Sequence, residues 1–170
     1  MMFGNPSVYA IEAYHEYSTL SGVWGRMCLH IGSAAFGDIA EPYCMLDHAF
    51  EELAQLTEHT NHLWDEEFEE LSDSDLYELL DTRLYRDDGR SVEEMRSDWC
   101  QYGRFHFLTN WGEMFDSAPK SFIVCPGSMI RVLWRDEAER HRSSEIPRSE
   151  FAVATGEACS WYRRQACNVF

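Results

Sequence analysis

The sequence predicts an α+β fold in which N-terminal and C-terminal strands form a largely antiparallel sheet, with a central helical segment and a C-terminal helix. Three observations lead to this prediction. Apolar residues alternate at period two in the first and last thirds of the chain, recur every three or four residues in the middle, and return to helical spacing after Pro147. Strands and helices segregated in this way are typical of α+β proteins. At 170 residues the chain is expected to form one domain, 1–170.

The first third is predicted to contain three strands. Residues 8–17 read VYAIEAYHEY and place Tyr9, Ile11, Ala13 and Tyr17 on one face. Residues 23–31 read VWGRMCLHI and alternate in the same way, and after a Gly-Ser turn residues 35–39 are expected to return as a short third strand. A Gly-Asn-Pro sequence at 4–6 predicts a turn before the first of these strands.

Three helices are predicted in the middle of the chain. Leucine, alanine and phenylalanine at helical spacing predict the first helix over about 45–58. The second is predicted over about 74–84, with Ser74 as its N-cap. The sequence SVEE at 91–94 matches a capping box and predicts a short helix that runs toward Trp99.

Strands return in the last third. Phenylalanine occupies every second position at 105 and 107, which predicts a strand over 105–108. The apolar runs 121–125 and 129–134 are separated by a Pro-Gly pair, which predicts a hairpin. Pro147 is expected to start the final helix.

The segment 103–116, GRFHFLTNWGEMFD, is unusually rich in aromatic residues. We expect it to be core packing, with Phe105, Phe107 and Phe115 buried and Gly112 in a turn. Three of its polar residues are expected at one exposed rim: Asn110, Glu113 and Asp116. This leaves a minor hypothesis, that the segment frames a contact site.

The composition excludes several classes of partner. Thirty acidic residues against fourteen lysines and arginines give a net charge of −16, which argues against binding nucleic acid or an anionic membrane surface. Six cysteines occur without a C-x-x-C pair, and no apolar run is long enough to span a membrane. We expect no signal peptide, because the first residues show neither a basic region nor an apolar one. We therefore expect a soluble, cytoplasmic protein with reduced thiols, and the composition leaves its oligomeric state open.

No catalytic or metal-binding signature is present. His59 and His62, with Glu58 and Glu66 nearby, offer ligands at helical spacing, but this H-x-x-H arrangement is not the H-E-x-x-H of zinc enzymes. A G-x-S-x-G elbow and a phosphate-binding glycine loop are also absent. The sequence thus predicts no catalytic residue, no metal and no cofactor.

The strongest compositional feature is the stretch 58–88, which contains twelve acids and only two arginines, Arg83 and Arg86. One interpretation is a solvated helical face. The other is an acidic, aromatic-studded surface that binds a basic protein. Under the second interpretation the candidate partner-binding residues are Trp64, Asp65, Glu66, Glu67, Glu69, Glu70, Asp73 and Asp75.

Four short stretches resemble the immunity-protein family numbered 42 of bacterial polymorphic toxin systems. They are MMFGNPSVYAIE at 1–12, WGRMCLHIG at 24–32, FGDIAEPYCML at 36–46 and YGRFHFLTNWGEMFD at 102–116, and the resemblance is clearest over 3–46. The resemblance implies a small cytoplasmic protein that binds and neutralises a cognate toxin domain, protects the producing cell and has no catalytic residues. The acidity favours a basic nuclease as that toxin.

Two other functional classes remain open from the sequence. One is a small hydrolase that uses a metal with histidine and carboxylate groups, and it predicts a concave pocket with converging acids and bases. The other is an intracellular adaptor for a basic protein unrelated to toxins. A binding protein predicts instead a broad acidic or apolar surface.

Overall fold

A computed structural model describes residues 1–86 and 88–167 of the chain. This part of the chain contains nine strands and four α-helices, and every strand pairing is antiparallel. The α+β prediction is confirmed. The N-terminal and C-terminal strands divide between two sheets, which share one hydrophobic core.

The N-terminal sheet has the order β1-β2-β3-β4, and β5 also pairs with β3. The Gly-Asn-Pro sequence predicted as a turn contributes its first two residues to a strand, and the turn follows. The bounds of the strands are β1 Met2–Asn5, β2 Tyr9–Thr19, β3 Gly22–Ile31, β4 Ala34–Phe36 and β5 Cys44–Met45.

A β-bulge between His15 and Tyr17 changes which face of the sheet the end of β2 presents. Tyr9 and Ala13 are fully buried, as their alternation predicts. Beyond the bulge, Tyr17 pairs with Trp24 and its ring stacks on that indole on the exposed face, with ring centroids 5.8 Å apart. The prediction that Tyr17 shares the face of Tyr9 is therefore wrong, because one extra residue shifts the period-two pattern.

The C-terminal sheet has the order β6-β7-β8-β9. The predicted hairpin is confirmed, since β7 and β8 pair on either side of the Pro-Gly turn. The last strand was not predicted because it is mostly polar and only Ile146 within it is buried. The bounds are β6 His106–Phe107, β7 Ser121–Val124, β8 Met129–Arg135 and β9 His141–Pro147.

The helices follow the predicted order, with one corrected cap. Ser74 lies inside α2, and the N-cap is Ser72, whose hydroxyl oxygen accepts from the backbone N–H of Asp75 at 3.2 Å. The capping box of Ser91 and Glu94 is confirmed at the start of α3. The bounds are α1 Asp47–His59, α2 Asp73–Tyr85, α3 Val92–Tyr102 and α4 Arg148–Cys167.

Aromatic contacts join the elements into one core. On the N-terminal sheet, Tyr9 packs against Phe151 of α4 at 4.8 Å between ring centroids. Phe36 meets Trp134 edge-on at 5.3 Å and so links the two sheets. The aromatic segment 103–116 is core, as expected: Phe105, Phe107, Trp111 and Phe115 are buried, whereas Asn110, Glu113 and Asp116 are exposed.

Candidate interaction face

The residues predicted to bind a partner lie on the connection from α1 to α2 and in the first turn of α2. We call residues 64–75 the acidic segment. A short 3-10 turn, Glu66–Phe68, forms its centre. Phe68 is buried and contacts Phe105 at 5.0 Å and Trp64 at 5.6 Å between ring centroids. Trp64 is half-buried. The aromatic side chains thus anchor the segment to the core and leave its carboxylates outside.

Several carboxylates of the acidic segment are engaged within the protein. Asp65 pairs with Arg104 at 3.2 Å, and Asp73 pairs with Arg131 at 2.8 Å. The hydroxyl of Ser72 donates to Asp75 at 2.6 Å. Burial first, and then the nearby carboxylate of Glu67, raises the pKa of Tyr102 to about 12. These side chains therefore hold the segment in place.

The other three carboxylates of the segment point to solvent. Glu66, Glu69 and Glu70 are exposed, and none of them has a cationic partner among residues 1–86 and 88–167. An exposed, unpaired carboxylate is well hydrated but keeps its full attraction for an incoming cation. Of the eight predicted residues, these three are therefore the ones best placed to meet a basic partner.

Arg104 clamps the acidic segment to its neighbours. Its Nε donates to the carbonyl of His62 at 2.9 Å, and its Nη2 donates to Asp65 at 3.2 Å. Its Nη1 donates to the carbonyl of Gln101 near the end of α3, and its guanidinium lies over the ring of Phe105, 4.4 Å from the centroid. One planar guanidinium thus fixes the turn that follows α1, the acidic segment and the end of α3 relative to each other.

A groove of about 320 Å³ borders the clamp. His59 and His106 each place Nδ1 2.9 Å from a main-chain carbonyl, of Gln55 and of Gly103. A carbonyl only accepts, so Nδ1 carries the proton, and Nε2 of the neutral ring is left as an acceptor. The groove is lined by Glu52, Gln55, Leu56, His59, His62, Leu63, Gly103, Arg104 and His106.

Within the described ranges, no group of three or more His, Cys, Asp or Glu side chains is arranged to hold a metal ion. The H-x-x-H spacing of His59 and His62 brings the two rings to 6.2 Å between centroids without a carboxylate to complete a ligand set. The sequence drew attention to this spacing, but it gave no sign that His106 lines the same groove.

A larger cavity, of about 610 Å³, lies beside β8. Three of its four lining carboxylates, those of Asp81, Asp136 and Glu139, are in ion pairs, and the fourth, that of Glu137, is exposed. Asp81 pairs with Lys120 at 2.6 Å, and Glu78 accepts from Arg135 and lies 3.3 Å from His141. Burial raises the pKa of the adjacent Tyr77 to about 12. Asp81 and Glu78 therefore belong to an ion-pair network in which cations neutralise them, so that neither is available as a base.

Most of the chain matches an immunity-protein family. The family model described as immunity protein 42 matches residues 1–160. Among solved structures, the fold is similar to the crystal structure of CdiI from Burkholderia dolosa AUO158, with a TM-score of 0.64 and 17% sequence identity, over 95% of this chain and 99% of that one. No curated protein sequence matches this chain. Among the described residues, no helix is long and apolar enough to cross a membrane.

Proposed function

The chain belongs to the immunity protein 42 family, and we propose that it neutralises its toxin by occlusion, without turnover, through the acidic segment. As a member of this family it is an immunity protein, whose role is to bind and neutralise a cognate toxin. The observation that carries the proposed site is the set of three unpaired, exposed carboxylates of Glu66, Glu69 and Glu70 on a segment fixed to the core. We propose contacts for the remaining predicted residues too: Trp64, Asp65, Glu67, Asp73 and Asp75.

The charge of this face favours a cationic toxin domain. A nuclease fits this description, because its own active site must attract a polyanion and is therefore basic. An acidic protein that covers such a site competes directly with the nucleic acid. Opposite charges also accelerate the encounter, up to about 10⁸ M⁻¹s⁻¹ or more at low salt. The proposal places the encounter in the cytoplasm of the producing cell, in keeping with six unpaired cysteines.

The direct experiment is a calorimetric titration of this protein with the toxin domain encoded beside it. We then compare two triple variants that change the net charge equally. In the first, Glu66, Glu69 and Glu70 are changed to lysine. In the control, three exposed glutamates outside the acidic segment are changed to lysine: Glu137, Glu150 and Glu157. Each set of three reversals takes the net charge from −16 to −10.

The proposal predicts nanomolar binding by the wild-type protein and about 100-fold weaker binding by the first variant in moderate salt. The control is expected to lose less than about fivefold, because remote charges are screened beyond a Debye length. Equal losses in both variants would remove the assignment of the site and leave the function standing. A wild-type protein that binds no neighbouring toxin domain would remove the function as well.

A further inference from the structure

Helix α3 presents an apolar ridge that nothing in the described protein covers. Its side chains are exposed from Val92 through Trp99 with the exception of Asp98, and only Tyr102 is buried. Val92, Met95 and Trp99 are 62%, 41% and 49% exposed. Positions i, i+3 and i+7 lie along one side of a helix, so these three side chains form a continuous ridge. Large apolar residues grouped in this way on a surface are typical of interaction sites.

From this ridge we infer that α3 supplies the apolar centre of the toxin-binding interface, of which the acidic segment is the rim. This inference rests on the proposed function. Stable interfaces combine a desolvated centre, enriched in tryptophan, methionine and arginine, with a polar rim that remains hydrated. The acidic segment alone lacks such a centre, because Phe68 is buried and Trp64 is half-buried.

The ridge and the acidic segment are continuous through direct contacts. The ring of Trp99 lies 5.6 Å from that of His106, which lines the groove beside the Arg104 clamp. At the end of α3, the carbonyl of Gln101 accepts a hydrogen bond from Arg104, which also donates to Asp65 of the acidic segment at 3.2 Å. The ridge, the groove and the acidic segment therefore form one face that a single protein domain can cover.

The charges around the ridge define the kind of partner it fits. Four carboxylates of this face have no cationic partner in the described residues: Glu66, Glu69, Glu70 and Glu93. Helix α3 carries one guanidinium without an anionic partner in the same residues, that of Arg96. The face therefore suits a toxin domain with an apolar patch surrounded mainly by basic residues. Arg96 adds a side chain of the type that interface centres favour.

A second exposed aromatic surface exists on the outer face of the N-terminal sheet, where Tyr14 is 47% and Tyr43 is 61% exposed. Its carboxylates already have partners: Glu16 pairs with Arg26 at 2.6 Å, and Glu12 lies 3.0 Å from Nε2 of His30. A cationic domain gains little from carboxylates that already have partners. This surface is therefore the control for the ridge.

The wild-type protein carries its own probe of the ridge. Of its six cysteines, all within the described ranges, Cys100 on α3 and Cys167 at the end of α4 are exposed and the other four are buried. Cys100 lies one helical turn after Arg96, beside the ridge. We would measure alkylation of both thiols by iodoacetamide, with mass spectrometry, in the absence and presence of the toxin domain.

At a toxin concentration about 100 times Kd, the inference predicts that Cys100 reacts about 100-fold more slowly, because only about 1% of the protein is unbound. Cys167 is expected to change less than twofold. Binding that leaves Cys100 unprotected would overturn the inference while the proposed function stands. A toxin domain that does not bind at all would overturn both.

Substitutions test the energetic part of the inference. Trp99→Ala and Met95→Ala are compared with Tyr14→Ala, which removes an aromatic side chain of nearly equal exposure from the other surface. We expect Trp99→Ala to weaken toxin binding at least about 30-fold, as at an interface centre, and Tyr14→Ala to change it less than threefold. The reverse order would assign the interface to the N-terminal sheet. A thermal melt of each variant separates lost binding from lost folding.

Discussion

Removal of the Arg104 guanidinium tests whether the interaction face is held in place by one side chain. In the folded protein this group donates to two main-chain carbonyls, of His62 and Gln101, and to the carboxylate of Asp65. Arg104→Ala removes all three donors and leaves the carbonyls to water. Arg104→Lys keeps the charge, but its ammonium cannot reach three acceptors in the geometry of a planar fork.

The magnitude follows from the kinds of bond that are lost. Each hydrogen bond to a carbonyl contributes about 0.5–1 kcal/mol at a partly exposed site, and the exposed ion pair contributes about 0.5 kcal/mol. These low values apply because the side chain of Arg104 is 36% exposed. The two carbonyl bonds and the ion pair together give about 1.5–2.5 kcal/mol, so we expect a loss of about 2 kcal/mol for alanine. With an m-value of about 2 kcal/mol/M, the urea midpoint should fall by about 1 M. Lysine should recover less than half of this loss.

The assay is urea unfolding followed by tryptophan fluorescence, together with toxin affinity measured well below the unfolding midpoint. Arg142→Ala is the matched control, since Arg142 is similarly exposed and its Nε donates to one carboxylate, that of Asp136, at 2.9 Å. The Arg142→Ala substitution should lower the free energy of unfolding by less than about 0.7 kcal/mol and leave toxin affinity unchanged. An Arg104→Ala variant as stable as the control, or complete recovery by lysine, would refute the clamp.

Two further predictions concern stability. Phe68→Ala removes a buried ring between Trp64 and Phe105. It should lower the free energy of unfolding by about 3–5 kcal/mol and release the acidic segment. Hydrogen exchange that stays slow at residues 66–70 would contradict this anchor. At high pH, Tyr77 and Tyr102 have folded-state pKa values raised to about 12, first of all by burial, whereas an unfolded tyrosine titrates near pH 10. Their contribution to stability is therefore complete below about pH 10 and is lost as the pH rises toward 12. The urea midpoint should fall over that interval as phenolate absorbance appears. An unchanged midpoint would contradict the two pKa shifts.

The sequence predicted the elements whose apolar pattern reports directly on burial. Strands β2, β3, β7 and β8 and helices α1, α2 and α4 were found where alternation or helical spacing placed them, and α3 follows its predicted capping box. The aromatic segment 103–116 is core. Strand β9 was missed because an edge strand with one buried side chain, that of Ile146, lacks the alternating pattern. The face of Tyr17 was misassigned because a bulge leaves no signal in a period-two pattern.

The candidate site was predictable only in part, for a physical reason. Charge density along the chain located the acidic segment, but whether a carboxylate is paired depends on residues distant in sequence. Asp73, for example, meets Arg131, 58 residues away. The ridge on α3 was missed because apolar residues at helical spacing usually face the core, and only the tertiary structure leaves Met95 and Trp99 uncovered.

Net charge and local contact make separate contributions to toxin binding, and the two triple variants separate them. Both variants carry a net charge of −10 in place of −16, so both should associate more slowly with a cationic domain at low salt. At about 0.15 M salt the field is screened beyond about 8 Å, and that common effect should nearly vanish. Only charges that touch the toxin then still matter, and they act mainly on the dissociation rate. If Glu66, Glu69 and Glu70 contact the toxin, their reversal must accelerate dissociation at physiological salt, whereas reversal of Glu137, Glu150 and Glu157 must not.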